Sequence, residues 1–171
     1  MNAKECNPTL EKMGEALLSL LKDCPFDKIT IDQITQTAGT GRVTYFRNFS
    51  SKSDLLSYYL LCQYKRYYAE HGNGEGIHEK SRDNLMCLLN FCESIKEEHI
   101  LITDAGQEAA IFMAYKYSFL EEEEGDWKTV SSNALLDYGL FGVIHEWIRN
   151  GCCPSAEEMT DWLFSITSLR R

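Results

Sequence analysis

Between Gly41 and Asn48 the sequence reads Gly-Arg-Val-Thr-Tyr-Phe-Arg-Asn, so two guanidinium groups, the Thr44 hydroxyl and a carboxamide fall within eight residues. Arginine donates two parallel hydrogen bonds to the major-groove edge of guanine, and Thr and Asn suit phosphates or other base edges. Lys52 follows at the expected start of another helix, where an ammonium group and free backbone amides would together suit a phosphate. This collection fits recognition of double-stranded nucleic acid. No comparable set points to catalysis. The chain has no GxxxxGKS or GxGxxG phosphate loop, and no Ser/His/Asp order that suggests a nucleophile. His99 and His145 read as lone histidines without partners at ligand spacing. The acidic run Glu121–Glu124 reads as a solvated loop that favours the dipole of the helix after it. Enzyme activity is unsupported, and no metal or cofactor is expected.

The elements that must position these groups are helical. Asn7 can cap a first helix to Lys22, with Pro8 at its first position and Leu10, Met13, Leu17, Leu18 and Leu21 at 3–4 spacing. Pro25 ends it. Thr30-x-x-Gln33 is a capping box opening a short second helix, and Gly39 closes it. A third short helix is expected over Gly41–Asn48, and a fourth from about Ser51 or Ser53 to Glu70. Further helices are expected over Lys80–Glu98, Gln107–Phe119, Asp126–Asn150 and from the capping box Ser155-x-x-Glu158 to about Leu169. No strand alternation is present, so the expected class is all-α.

Two short helices around the turn Gly39-Thr40 have the layout of a helix-turn-helix, whose second helix enters the major groove. The wider pattern resembles the DNA-binding domain of TetR-family transcriptional regulators. The matching residues are Phe26, Ile29-Thr30-Ile31, Ile34, Ala38-Gly39, Arg42, Thr44, the aromatic at 46, Phe49, Lys52 and Leu55-Leu56. The resemblance implies DNA contacts from Thr30, Gly41, Arg42, Val43, Thr44, Tyr45, Phe46, Arg47, Asn48 and Lys52. Phe46 and Phe49 are also read as core of the three-helix unit. Phe46 replaces the tyrosine usual in the family, whose hydroxyl contacts a phosphate, and Tyr45 stands where the family buries Leu or Phe. Gly41 takes the place of a Ser, Thr or Asn cap, and Asn48 that of a histidine.

The domain division expected is 1–52 for the helix-turn-helix and 53–171 for an effector-binding and dimerisation domain. Net charge is −9, yet residues 1–52 carry seven Lys/Arg and six Asp/Glu, leaving the acid to the remainder. The segment Ala134–Ile148 is apolar on nearly every side and needs cover on nearly every side. A homodimer interface is therefore expected from Leu135, Tyr138, Gly139, Phe141, Gly142, His145, Met159, Trp162, Leu163 and Ile166, as the resemblance also implies. A small-molecule effector, unidentified, is expected near His99, Tyr115, Tyr117 and His145. Tyr58, Tyr59, Tyr64, Tyr67 and Tyr68 are read as core or groove lining. The seven cysteines show no CxxC pair and read as reduced, mostly buried thiols, with Cys152–Cys153 the one redox candidate. Early charges such as Lys4, Glu5, Glu11 and Lys12 leave no apolar run for a secretory signal, and no run approaches the roughly 18 residues of a membrane span. The expected setting is the bacterial cytoplasm. The expected function is a regulator, a repressor, that binds a near-palindromic operator and is released by its effector. The alternative is a protein of the same fold with weakened DNA binding that works through protein contacts, and a more distant one is a small all-α ligand carrier or enzyme.

Overall fold

The computed structural model describes residues 6–74, 76–77, 81–119 and 126–166. Lys80, the run Glu121–Glu124 and Leu169, all named above, lie outside the described residues. Among the described residues all regular structure is helical: α1 (Pro8–Leu21), a 3-10 turn (Phe26–Lys28), α2 (Ile31–Thr37), α3 (Arg42–Asn48), α4 (Lys52–His71), α5 (Arg82–Ser94), α6 (Lys96–Asp104), α7 (Glu108–Phe119), α8 (Trp127–Arg149) and α9 (Ala156–Ile166). The described chain divides into two compact units, residues 6–63 with 100–114 and residues 64–99 with 115–166. The first holds the whole helix-turn-helix segment together with the opening turns of α4.

The helix ends of the first unit follow from side-chain chemistry. The Asn7 side chain accepts the Thr9 backbone N–H at 2.9 Å, and Pro8 costs no hydrogen bond at the first helical position. The expected apolar stripe of α1 is buried. Gly14 sits on that helix where a Cβ would come within 2.5 Å of the Tyr59 ring, so α1 and α4 approach closely only because the residue has no side chain. At α2, Thr30 and Gln33 form the reciprocal capping box. Gly39 then turns the chain at φ +63°, a region L side chains seldom adopt. α2 packs on α1 and on α3.

In the second unit α5 packs against α8 and α9. Leu85, Leu88, Leu89 and Cys92 of α5 are buried, with Ile144, Trp147, Ile148, Met159 and Leu163. The Trp147 indole N–H donates to the Pro154 carbonyl at 2.6 Å, tying the end of α8 to the turn that leads into α9. Ser155 and Glu158 form the expected capping box at that turn. Tyr64 is buried and its ring lies 5.3 Å from that of Phe91.

The single helix expected over Lys80–Glu98 is a correction. α5 stops at Ser94, Ile95 adopts ψ 20°, and a separate helix, α6, runs on to Asp104. The Ile95 carbonyl accepts the His99 N–H at 2.9 Å, so the two helices abut with little loss of backbone hydrogen bonding. No proline or glycine marks the break, and the apolar spacing continues through it.

Candidate nucleic-acid interface

α3 is seven residues long and uses nearly its whole surface. Tyr45 and Phe49, four positions apart, are buried. Their rings lie 5.7 Å apart, and Phe49 lies 5.4 Å from Tyr58 of α4. Ile34 of α2 is fully buried in the same unit. This aromatic floor fixes α3 on its scaffold and leaves the opposite face outward. Val43 is 71% exposed and Phe46 60% exposed, and Arg42 and Arg47 are exposed beside them.

Two expectations change here. Phe46, read as core, is on the surface, because position 46 is rotated about 100° from the inward-facing position 45. Tyr45, expected among the DNA-contacting residues, is buried, and its hydroxyl has no hydrogen-bond partner among the described residues. Burial, and secondarily the Asp54 carboxylate, pushes the Tyr45 phenol up to about 12.

The remaining groups are placed as follows. The Arg42 guanidinium pairs with Asp32 of α2, Nη1 lying 2.7 Å from Oδ1 and 2.8 Å from Oδ2. Both side chains are more than half exposed, at 58% and 62%. A pair so exposed is worth only about 0–1 kcal/mol, so a phosphate or base edge can displace the carboxylate. The Arg42 Cζ also lies 5.7 Å from the Phe46 ring centroid. Arg47 is exposed and makes no ion pair with another described residue. Thr44 and Asn48 are half-buried, and the Asn48 side-chain amide donates to the Thr44 carbonyl at 2.8 Å. Gly41 caps α3 through its backbone alone, its carbonyl accepting from the N–H of Thr44 at 3.0 Å. Thr30 is exposed, and its hydroxyl oxygen accepts the Gln33 N–H at 3.2 Å.

Lys52 is engaged differently from the phosphate contact expected of it. Its ammonium group donates to the carbonyls of Phe26 and, at 2.7 Å, of Ile29, and it lies 4.4 Å from the centroid of the Phe26 ring. The group therefore closes the 3-10 turn between α1 and α2 and holds that connection against the start of α4. Burial pulls its pKa below the ordinary lysine value, while Asp27 and Cys24 act in the opposite direction. The Phe26 and Ile29 carbonyls are far from Lys52 in sequence, so helix spacing gave no sign of this brace.

In the second unit the two histidines read as lone residues are partners. His99 Nε2 lies 3.0 Å from His145 Nδ1, one nitrogen donating and the other accepting. His99 is buried, and burial first, then the proximity of His145, push its pKa down to about 4. Phe141 lies 5.8 Å from the His145 ring and 6.1 Å from that of Tyr115. Burial, then Asp137, raises the Tyr115 phenol. Of the groups expected around an effector, His99, His145 and Tyr115 thus share one neighbourhood through Phe141. Tyr117 is half-buried two positions beyond Tyr115, about 200° around α7.

The residues expected at a homodimer interface separate into two sets. Leu135 is 76% exposed and Tyr138 64% exposed, with Trp162 and Ile166 of α9 also outward. Gly139 is exposed, and Phe141, Gly142 and His145 are half-buried. Met159 and Leu163 are instead buried in the chain's own core, because α9 must cover α5. Trp127 and Val130 of α8 are also exposed and were not singled out from the sequence.

All seven cysteines are free, with Cys62, Cys87, Cys92 and Cys152 buried and Cys6 and Cys153 exposed. Among the described residues no group of three His, Cys, Asp or Glu side chains is placed to hold a metal ion. No described helix is long and apolar enough to cross a membrane.

No family model matches the sequence, and no curated protein matches it either. Solved structures do match the fold. One is the dihydroxyacetone kinase operon activator DhaS, 15% identical, with a TM-score of 0.56 over 93% of each chain. Another is the fatty acid degradation regulator FadR from Bacillus halodurans, 12% identical, with a TM-score of 0.50 over 95% of this chain and 96% of that one. At these identities the likeness establishes the all-helical fold over nearly the whole chain.

Proposed function

We propose that this protein is a DNA-binding transcriptional regulator of the TetR type that acts as a homodimer on a near-palindromic operator. The observation that carries the reading is α3, the second helix of a helix-turn-helix, with Tyr45 fixed inward and Arg42, Val43, Phe46 and Arg47 turned outward. The N-terminal residues of such a helix face base edges in the major groove. Arg42 and Arg47 serve bases or phosphates, Thr30 and Thr44 serve as backbone-side contacts, and Lys52 shapes the scaffold behind them. The two solved structures described above are named as regulators, one of them an operon activator, which supports regulation and leaves its sign, repression or activation, to experiment.

The exposed apolar residues of α8 and α9 supply the dimer contact. A two-fold partner would set two α3 helices about one DNA turn (~34 Å) or a multiple apart. A small molecule held in the second unit near His99, Tyr115 and His145 would act by favouring one spacing of the two helices over another. A cytoplasmic setting follows from this role.

Capture of sheared genomic DNA by the purified protein, beside the variant Arg42→Ala/Arg47→Ala, tests the proposal. Both arginines are exposed, so the variant keeps its fold. Enrichment of one short near-palindrome, lost in the variant, is the expected result. A folded parent protein that enriches nothing would favour the alternative role through protein contacts.

A further inference from the structure

In the first unit the large apolar side chains left exposed are Val43, Phe46 and Ile100, and two of the three adjoin on the outer face of α3. At about 100° per residue, Arg42, Phe46, Val43 and Arg47 follow one another around the helix within an arc of about 140°. The two arginines therefore form the edges and the two apolar groups the middle. The guanidinium of Arg42 already leans over one side of Phe46, 5.7 Å from the ring centroid. Cationic edges specify an anionic partner, and an apolar strip between them needs an apolar group on that same partner. The major groove of DNA offers one, the C5-methyl of thymine.

We propose that Val43 and Phe46 are specificity-determining residues that select thymine by its methyl group. This rests on the nucleic-acid reading above and adds the sequence class that the site prefers. Side chains three apart on a helix have Cβ atoms about 5–6 Å apart, and successive bases on a strand rise about 3.4 Å. Val43 and Phe46 therefore reach methyls on adjacent or next-but-one base pairs, which places two thymines close together in each half-site. Residue 46 is phenylalanine, so this ring has only its apolar surface to offer.

The test begins with selection from a random duplex pool. The selected duplex is then resynthesised with deoxyuridine at one thymine at a time, which removes the methyl and leaves base pairing intact. The expected result is a loss of about fourfold in affinity at two positions per half-site, the value of one buried methyl, and no change at flanking thymines. In Val43→Ala and Phe46→Ala the penalty at one of those positions falls toward one, with the helical spectrum and melting temperature unchanged because both side chains are exposed. Equal affinity for thymine and uracil duplexes at every position would overturn the inference while leaving DNA binding in place. Failure of the parent protein to select any duplex would overturn the underlying reading instead.

Discussion

Two helices of this molecule expose apolar side chains, and they do so in different company. On α3, Val43 and Phe46 stand between two arginines. On α8, Leu135 and Tyr138 are exposed to a similar degree, yet the exposed positions from Val130 to Gly139 are Ser131, Ser132, Leu135, Tyr138 and the two end residues, none of them charged. Apolar exposure asks for a partner in both places, and the flanking charge decides which kind. Cationic edges fit a polyanion. A neutral apolar face fits another neutral apolar face, and a second copy of the same chain presents one. The overall charge of −9 conceals this division, because residues 1–52 alone sum to +1.

The contrast can be broken most severely on α8. Leu135→Glu/Tyr138→Glu places charges on its neutral face, and burying an unpaired charge is prohibitive. Sedimentation should show the parent as a dimer and the variant as a monomer with its helical spectrum retained. A parent that remains monomeric at high concentration would remove the basis for reading α8 as a self-association surface.

A smaller effect is expected behind α3. Lys52→Met keeps the aliphatic stem and removes the charge-assisted bonds to the Phe26 and Ile29 carbonyls. We expect a loss of about 1–3 kcal/mol in urea unfolding, the usual worth of hydrogen bonds to a charged group. Duplex affinity should fall with no change in its dependence on salt. A phosphate contact by Lys52 would show itself as a salt slope shallower by about two, one for each subunit of the dimer.

Tyr45→Phe separates floor from face within α3 itself. The buried hydroxyl has no partner among the described residues, so its removal should stabilise the protein by about 1 kcal/mol. Duplex affinity should be unchanged, whereas a fall would place Tyr45 at the DNA after all.

The gentlest test is a pH series on the second unit. The folded His99 value of about 4 lies below the ordinary histidine value of about 6.5. As pH falls below about 6.5 the unfolded chain takes up a proton first, so stability declines from there to about pH 4, and His99 adds no slope above that window. His99→Phe should reduce the slope by up to about 1 kcal/mol per pH unit. An unchanged slope would mean that buried His99 takes up a proton in the folded chain as readily as in the unfolded one.

What the sequence made legible was local. Asn7, Thr30 with Gln33, and Ser155 with Glu158 cap their helices as expected because the bonded groups lie two or three residues apart. The all-α class follows from the same periodicity. The parts that escaped depend on distant residues. Lys52 meets carbonyls 26 and 23 positions earlier, and His99 meets a ring 46 positions later. The break at Ile95 carries no glycine or proline to announce it. Tyr45, Phe46 and Phe49 crowd three aromatics into α3 and the residue that follows it, and periodicity over so short a span does not separate the inner face from the outer. Met159 and Leu163 share the spacing of Trp162 and Ile166, and only the packing of α9 on α5 shows which pair is covered.

The most direct test of the α3 assignment is the affinity of the whole protein for the captured duplex as salt is raised, measured for the parent and for Arg42→Ala/Arg47→Ala. A dimer that neutralises phosphates from two α3 faces should lose affinity steeply with salt, with a log–log slope of about −4 or steeper. The variant should bind at least 100-fold more weakly, from the loss of contacts worth about 1–3 kcal/mol each. A folded parent whose affinity is undetectable at low salt, or equal to that of the variant, would contradict the account.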